Sequence, residues 1–374
     1  MTDRVLSAEE LNRAMLERQM LLERTASPPT EAIERLVALQ AQEPASPAIA
    51  LWTRIEGFRA ADLDRAFLLR EVVKGTVMRA TLHAVSALDY LYYWPAVAPS
   101  LRAWRAQQVQ RFDVNWPLDQ LAEQALQYAA EPRSGTEMRR YLEREAAAES
   151  AAQLDPWWAV GTHAPFLRTP SDVAWSFGRR PMFVAARTWL DGQFCGEEDG
   201  VDYLIRRYLA GYGPATLGDI FQFSRVTRPR LKAGLERLAP ELRSFRNEAG
   251  RILYDVPDGP LPPADTKAPP RLLPMWDSVL LAYEDRSRVI PDAHRRRIVQ
   301  PNGDFLPTFM VDGRVAGLWR ADVVNGRTRI TTLPFEPIAR AADRALQAEA
   351  RRLAAFVEPI EPAVYKRYVN TWLK

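Results

Sequence analysis

The segment "LVALQAQEPASP", residues 36–47, places two side-chain amides beside a predicted helical core. Apolar residues recur at helical spacing as far as Val37, and Gln40 is the next position on that buried face. On a continuous helix, residues two apart point about 200° away from each other, whereas in extended chain they point the same way. Glu43 precedes a proline, which disfavours helical backbone. We therefore predict that the helix ends at Gln40, that the chain then runs extended, and that Gln40 and Gln42 can face one pocket.

A pair of amides is a weak chemical signal on its own, because glutamine is neither a general base nor a usual nucleophile. An amide oxygen can still accept the hydrogens of a water and direct its dipole towards developing positive charge. In the structural alternative, Gln40 caps the end of its helix and Gln42 bonds the loop backbone. The residues alone leave both interpretations open.

Other kinds of catalytic centre receive little support. Cys195 is the single cysteine, so the chain has neither an internal disulfide nor a thiolate cluster for zinc. The three histidines, His83, His163 and His294, lack metal-ligand spacing. No glycine-rich loop suited to phosphates is present. We predict that the protein uses neither a metal nor a nucleotide cofactor.

The composition indicates a globular protein with more than one module. The chain has 374 residues, of which 47% are hydrophobic and 26% charged. It contains no run of about 18 uncharged apolar residues, so no membrane span is predicted. The first residues lack the apolar core of a secretory signal. These features predict a cytoplasmic protein with no membrane partner.

Positive charge is concentrated in two segments, although the formal net charge is only +3. Of the 50 basic residues, five are lysines, which leaves 45 arginines, and an arginine fork matches phosphate oxygens. GC-rich coding also produces arginine-rich proteins, and a solvated face is the alternative for either segment. We interpret the two segments together as phosphate-binding. The candidate DNA-binding residues in them are Arg225, Arg228, Arg230, Lys232, Arg286, Arg295 and Arg296.

Helix and strand signals repeat a winged-helix order, in which helices precede a strand pair. Ser7 with Glu10 predicts a capping box for a first helix that runs to about Arg24. A second helix is expected over about Glu31 to Gln40, and a third from Pro47 to about Ile55 behind the cap Ser46.

The pattern is clearest in residues 202–256, where three helices precede a hairpin. Thr216 and Thr227 are the predicted caps of the second and third of these helices. The later segment "RLLPMWDSVLLAYEDR" is predicted to be strand. Asp312-Gly313 then predicts a tight turn between two further strands. The fold class predicted is α+β, mainly α, with tandem winged-helix modules and a C-terminal antiparallel β-domain.

Four units are predicted along the chain. Residues 1–86 form a first winged helix that carries the two glutamines. Residues 87–200 form a helical linker with a second winged helix, and residues 201–258 form a third. Residues 259–374 form the β-domain and a C-terminal helix.

The chain resembles the AlkZ/YcaQ group of bacterial DNA glycosylases. The resemblance rests on "RLVALQAQEPASPAIALWTRI", "VMRATLHAVSALDY", "YLAGYGPATLGDI" and "DSVLLAYEDRSRVI…VDGRVAGLWR", which follow one another in the family's order. The AlkZ branch has a Gln-aliphatic-Gln motif, and Gln40-Ala41-Gln42 matches it. The resemblance implies three winged helices and a β-domain around a basic DNA-binding surface, with Gln40 and Gln42 as catalytic residues.

The resemblance also implies a substrate and further contacts. It predicts a monofunctional, monomeric glycosylase that releases N7-alkylated guanine, bulky or cross-linked adducts included, from duplex DNA. Arg79 and His83 are expected on the DNA surface, although His83 is equally well explained as a satisfied core histidine. Two other functions stay open, namely a non-catalytic DNA-binding protein that regulates genes or shields lesions, and a protein-interaction scaffold.

Overall fold

The computed structural model describes residues 4–112, 114–146 and 154–368, which form α-helices and three β-sheets. In the described ranges the α-helices are α1 (Ala8–Arg18), α2 (Pro29–Arg35), α3 (Ala45–Arg54), α4 (Ala60–Leu68), α5 (Ala87–Gln110), α6 (Leu118–Tyr128), α7 (Gly135–Glu145), α8 (Pro156–Val160), α9 (Ala186–Trp189), α10 (Glu197–Tyr212), α11 (Leu217–Ser224), α12 (Arg228–Leu238), α13 (Arg295–Ile298) and α14 (Arg340–Val357). The strands are β1 (Val5–Leu6), β2 (Leu39–Gln40), β3 (Val72–Thr76), β4 (Leu82–Ser86), β5 (Arg133–Ser134), β6 (Phe166–Thr169), β7 (Met182–Ala185), β8 (Arg243–Asn247), β9 (Ile252–Asp255), β10 (Arg271–Leu273), β11 (Thr308–Val311), β12 (Arg314–Val324) and β13 (Arg327–Pro334). The predicted fold class is confirmed.

The first helix begins as predicted but ends early. The Ser7 hydroxyl accepts the Glu10 amide at 3.2 Å, and the Glu10 carboxylate accepts the Ser7 amide at 2.9 Å, which completes the capping box. The helix ends at Arg18 rather than near Arg24, because the chain reverses at Met20, whose φ is +53°. The third helix likewise begins at Ala45, so the predicted cap, Ser46, lies inside it.

A six-stranded sheet unites the hairpins of the first two predicted modules. Its strand order is β2-β4-β3-β6-β7-β5, and the pairings are antiparallel. β3 and β4 form the first hairpin, and β3 pairs with β6 across the module boundary through Lys74 and Arg168. β2, which ends at Gln40, is therefore the edge strand beside β4.

The third predicted module has the expected order of helices α10, α11 and α12 followed by the hairpin β8–β9. Thr216 caps α11 through the Asp219 amide at 3.1 Å, as predicted. Thr227 precedes α12, but its side chain makes no capping hydrogen bond. The N-terminal strand β1 pairs in parallel with β8, which sequence reasoning did not foresee.

The C-terminal sheet has the order β10-β11-β12-β13, with Asp312-Gly313 at the turn between β11 and β12. The predicted strand after Leu273 is wrong, because this segment contains a 3-10 helix, Ser278–Leu280. Asp277 turns the chain there. Its carboxylate accepts the Val279 amide at 3.2 Å and forms a buried ion pair with Arg54 at 2.8 Å.

One continuous core spans helices and strands from the first predicted module to the C-terminal helix. A second cluster fills the space among α6, α7 and α8, and a small third cluster packs β1 against β8 and β9. The division into units at residues 86, 200 and 258 stays a prediction. The six-stranded sheet crosses residue 86, and the sheet of β1, β8 and β9 crosses residues 86 and 200. In the described ranges, no helix is long and apolar enough to cross a membrane.

Candidate active site and nucleic-acid interface

Gln40 lies on a strand rather than at the end of a helix. Helix α2 ends at Arg35, and Gln40 pairs with His83 in the ladder between β2 and β4. The prediction of a helix up to Gln40 is wrong, because the chain turns at Val37, whose φ is +70°. The extended backbone predicted after Gln40 is present only at Ala41, whose amide continues the ladder to the Leu82 carbonyl at 2.7 Å. At Gln42 and Glu43 the chain bends instead.

The buried amide of Gln40 is held by an arginine. Arg79 Nη2 donates to Gln40 Oε1 at 3.1 Å and lies 3.2 Å from His83 Nε2. Arg79 Nη1 donates to the Phe223 carbonyl at 2.7 Å, at the end of helix α11. The Arg79 side chain therefore bonds both Gln40, in the first predicted module, and Phe223, in the third.

His83 is fully buried, so it does not line the surface as one prediction had it. Because arginine only donates, His83 Nε2 accepts from Arg79 and Nδ1 donates to the Thr81 carbonyl at 3.0 Å. Burial, aided by the charge of Arg79, lowers the pKa of His83 to about 3. The His83 ring is therefore neutral at pH 7 and positions Arg79. His83 is thus the satisfied core histidine of the alternative interpretation.

Arg79 is placed by a strained turn. Arg79 and Ala80 have φ values of +56° and +57°, which is the left-handed region at the tip of the β3–β4 hairpin. Residues with a Cβ rarely adopt this region, and the surrounding contacts must offset its cost. The three hydrogen bonds of Arg79, with its guanidinium 5.2 Å from the Phe223 ring, supply such contacts.

Gln42 is exposed, unlike Gln40, and its Oε1 accepts the Leu82 amide at 3.2 Å. Gln42 therefore bonds the backbone, as the structural alternative to a catalytic role predicted. A carbonyl oxygen has two acceptor positions, so each amide oxygen keeps one for a water. Among the described residues, neither glutamine Nε2 has a hydrogen-bond partner. The two amides lie at one sheet edge but bind different partners.

Four arginines from separate elements lie within electrostatic reach of one another and have no counter-ion among the described residues. We use "arginine cluster" for Arg79, Arg225, Arg286 and Arg295. Burial, together with the charges of Arg225 and Arg286, lowers the pKa of Arg79 to about 10. Burial and the charges of Arg295 and Arg225 lower the pKa of Arg286. None of the four forms an ion pair with any carboxylate in the described part of the chain.

Unpaired arginines near one another repel, and an anion relieves that repulsion. The Nε of Arg286 is buried and has no hydrogen-bond partner among the described residues, while Arg225 and Arg295 are exposed. Phosphate oxygens are the anions that match the arginine fork. This arrangement suits a nucleic-acid backbone beside Gln40. Arg296, next to the cluster, is also exposed.

The basic residues of helix α12 have partners within the protein. Arg228 pairs with Glu284 at 3.0 Å, and Lys232 lies 3.8 Å from Glu236. Arg230 donates to the Ala96 carbonyl at 2.9 Å and is one-fifth exposed. These three predicted DNA-binding residues differ from the arginine cluster in having carboxylate or carbonyl partners within the described protein.

The buried ring of His83 predicts acid sensitivity. The folded protein disfavours protonation down to about pH 3, whereas the unfolded chain protonates near pH 6.5. The unfolded state thus binds more protons between these values, and the free energy of unfolding falls as the pH falls, by about 1.4 kcal/mol per unit from this group. Chemical denaturation of the protein and of His83→Gln at pH 7, 5 and 4 measures the difference in slope.

The matched control for that experiment is His294→Gln, which keeps His83 and should retain the slope of the original protein. His83→Gln should have a shallower dependence in the same window. Equal slopes for all three proteins would contradict the neutral, buried ring.

The chain matches a known protein family over most of its length. A family model described as "DNA glycosylase AlkZ-like" matches residues 33–356. The chain belongs to the AlkZ-like DNA glycosylase family. It is 25% identical, over 91% of its length and 93% of the relative's, to an "Interstrand DNA cross-link repair glycosylase" of Streptomyces sahachiroi. The solved structure of Streptomyces sahachiroi DNA glycosylase AlkZ matches with a TM-score of 0.79 at 19% identity, over 96% of this chain and 98% of that one.

Membership of the AlkZ-like DNA glycosylase family confirms the resemblance stated from the sequence. Sequence reasoning named Arg79 only as a surface contact and missed its bond to Gln40, because that bond spans 39 residues of chain. The role of the Phe223 carbonyl was also missed, since a backbone group leaves no signal in residue type. Among the residues described, no group of histidine, cysteine, aspartate or glutamate has the arrangement of a metal site.

Proposed function

We propose that this glycosylase hydrolyses the N-glycosidic bond of N7-alkylated guanine in duplex DNA, with Gln40 and Gln42 positioning the attacking water. The observation that carries the proposal is the bond from Arg79 to the Gln40 amide, which places one of the two glutamines against the arginine cluster. Phosphates bound there would place a lesion beside Gln40, at the sheet edge that also carries Gln42. The name of the Streptomyces relative extends the proposal to cross-linked guanines.

The chemistry of the leaving group explains why neutral amides suffice. A guanine alkylated at N7 is already cationic and departs as a neutral base, so it needs no general acid. The sugar develops oxocarbenium character, which amide dipoles stabilise while they hold a water at the opposite face. No strong base is needed, and the substrate is limited to bases that are already good leaving groups. The product is an abasic strand with no strand cleavage, which makes the enzyme monofunctional.

Lesion charge tests this proposal. With EDTA present, the protein should release 7-methylguanine from duplex DNA and leave duplexes with the neutral lesions 8-oxoguanine and O6-methylguanine intact. The measurement is free base detected by chromatography with mass detection. Equal release from the neutral lesions would contradict the leaving-group argument, and activity that is lost with EDTA and restored by a divalent ion would contradict the metal-free mechanism.

A further inference from the structure

A basic cleft lies on the other face of the six-stranded sheet from Gln40. In the register of the sheet, Gln40, His83 and Gly75 are cross-strand neighbours on one face. Lys74 and Arg168 stand opposite each other in the ladder between β3 and β6. They are on the other face, because side chains alternate along a strand. The sheet therefore separates the arginine cluster side from the Lys74 side.

The cleft has a volume of about 800 Å³ and lies between this face, residues 173–181 and the C-terminal residues 361–367. Gln42 lines it at the sheet edge, whereas Gln40 does not. Five basic side chains line it against two carboxylates, and aromatic residues complete its wall. The charged lining residues are Glu43, Lys74, Arg168, Arg179, Glu361, Lys366 and Arg367.

Its two carboxylates already have partners. Glu43 accepts the Tyr368 hydroxyl at 2.7 Å and pairs with Arg367. Glu361 accepts the Trp175 indole N–H at 2.7 Å, and burial raises the pKa of its carboxyl. Neither carboxylate forms an ion pair with Lys74 or Arg168.

Lys74 and Arg168 are basic groups that form no ion pair within the described part of the chain. Lys74 is 2% exposed, its ammonium lies 4.4 Å from the Phe177 ring centre, and in the described chain it has no hydrogen-bond or ion-pair partner. The Nε of Arg168 is also buried, and no described residue forms a hydrogen bond with it. Burying an unpaired cation is costly, and a ligand anion would offset that cost.

We propose that this cleft binds the phosphate group of a nucleotide, with Lys74 and Arg168 as its anchoring donors. The aromatic wall at Phe177 and the volume suit one or two nucleotides with their bases. A DNA strand near the lesion and a free nucleotide both carry this chemistry. Because Gln42 lines the cleft, a strand held there passes the sheet edge that carries the two amides.

Binding in the cleft should be linked to proton uptake. Burial, and next the charge of Arg168, lowers the pKa of Lys74 to about 7, while Glu43 acts in the other direction. Above pH 7 the free amine is largely neutral, and a bound phosphate favours its charged form. Affinity should therefore fall as the pH rises from 7 to 9, where the phosphate itself no longer titrates.

Calorimetry with thymidine 5′-monophosphate and with a single-stranded tetranucleotide tests the site. Lys74→Met and Arg168→Gln should each weaken binding about 10- to 100-fold, and Lys74→Met should also abolish the pH dependence. Lys267→Met, at an exposed lysine outside the cleft, is the matched control, and melting temperatures verify folding. Tighter binding of the tetranucleotide would identify a DNA strand as the occupant, and equal binding a free nucleotide.

The same titration on a variant with glutamine at Arg225, Arg286 and Arg295 separates the cleft from the arginine cluster. This triple variant should still bind both ligands, and adding Lys74→Met to it should weaken that binding. No saturable binding of either ligand by the original protein, or unchanged affinity in both Lys74→Met and Arg168→Gln, would overturn the proposal. Base release from N7-methylguanine duplex by the original protein is measured in its own assay, so failure of the cleft proposal and failure of the proposed function are distinguishable.

Discussion

Gln40→Ala and Gln42→Ala are each expected to slow base release from N7-methylguanine duplex by roughly 10- to 1000-fold, or about 1.4–4 kcal/mol of activation free energy. Each variant removes an amide dipole and one acceptor for the attacking water. Duplex affinity should change little, because neither amide is positively charged. Single-turnover release with enzyme in excess measures the chemical step without product release.

Stability separates catalysis from a structural role for these residues. Gln40 is buried and accepts from Arg79, so Gln40→Ala should cost on the order of 1 kcal/mol of unfolding free energy. Gln42 is exposed, so Gln42→Ala should lower the unfolding free energy by less. Gln42→Asp, which resembles the YcaQ branch, should retain release of 7-methylguanine. Variants that melt early but release the base at the normal rate would make both glutamines structural.

Loss of charge from the arginine cluster is expected to have the second large effect. Replacing Arg225, Arg286 and Arg295 together by glutamine should weaken duplex binding on the order of 100-fold. If each arginine neutralises one phosphate, the slope of log affinity against log salt should flatten by about 0.9 per residue. Fluorescence anisotropy of a labelled duplex across a salt series gives both quantities.

A second triple variant is the control for that measurement. Arg228, Arg230 and Lys232 lie in helix α12, the last helix before the hairpin of the third predicted winged helix, but they have carboxylate or carbonyl partners in the protein. Their replacement by glutamine should flatten the slope less than the loss of the cluster residues. The reverse order would place the DNA backbone along helix α12 and contradict the role assigned to the cluster.

Local signals in the sequence predicted the elements that are specified locally. The capping boxes at Ser7 and Thr216 and the turn at Asp312-Gly313 are present, because each depends on residues close in the chain. The edge strand with Gln40 was missed because its partner, His83, is distant in sequence. A two-residue strand has no periodicity of its own, so helical spacing extended the predicted helix too far.

The candidate site was predictable in residue type but not in its contacts. Family resemblance identified Gln40 and Gln42, and charge counting identified Arg225, Arg286 and Arg295. No local pattern shows that Arg79 adopts a left-handed backbone and reaches Gln40 and Phe223 from another element. Long-range register also brings Lys74 beside Arg168, so the cleft could not be predicted from either segment alone.

The central claim is that this protein hydrolyses a glycosidic bond rather than only binding damaged DNA. The most direct test incubates excess protein with N7-methylguanine duplex in EDTA and measures free base and strand integrity in the same sample. The account predicts one free 7-methylguanine for each lesion and a strand that breaks only after alkali, at the abasic site. A duplex that is bound while its modified base stays attached would contradict the account and identify a non-catalytic DNA-binding protein.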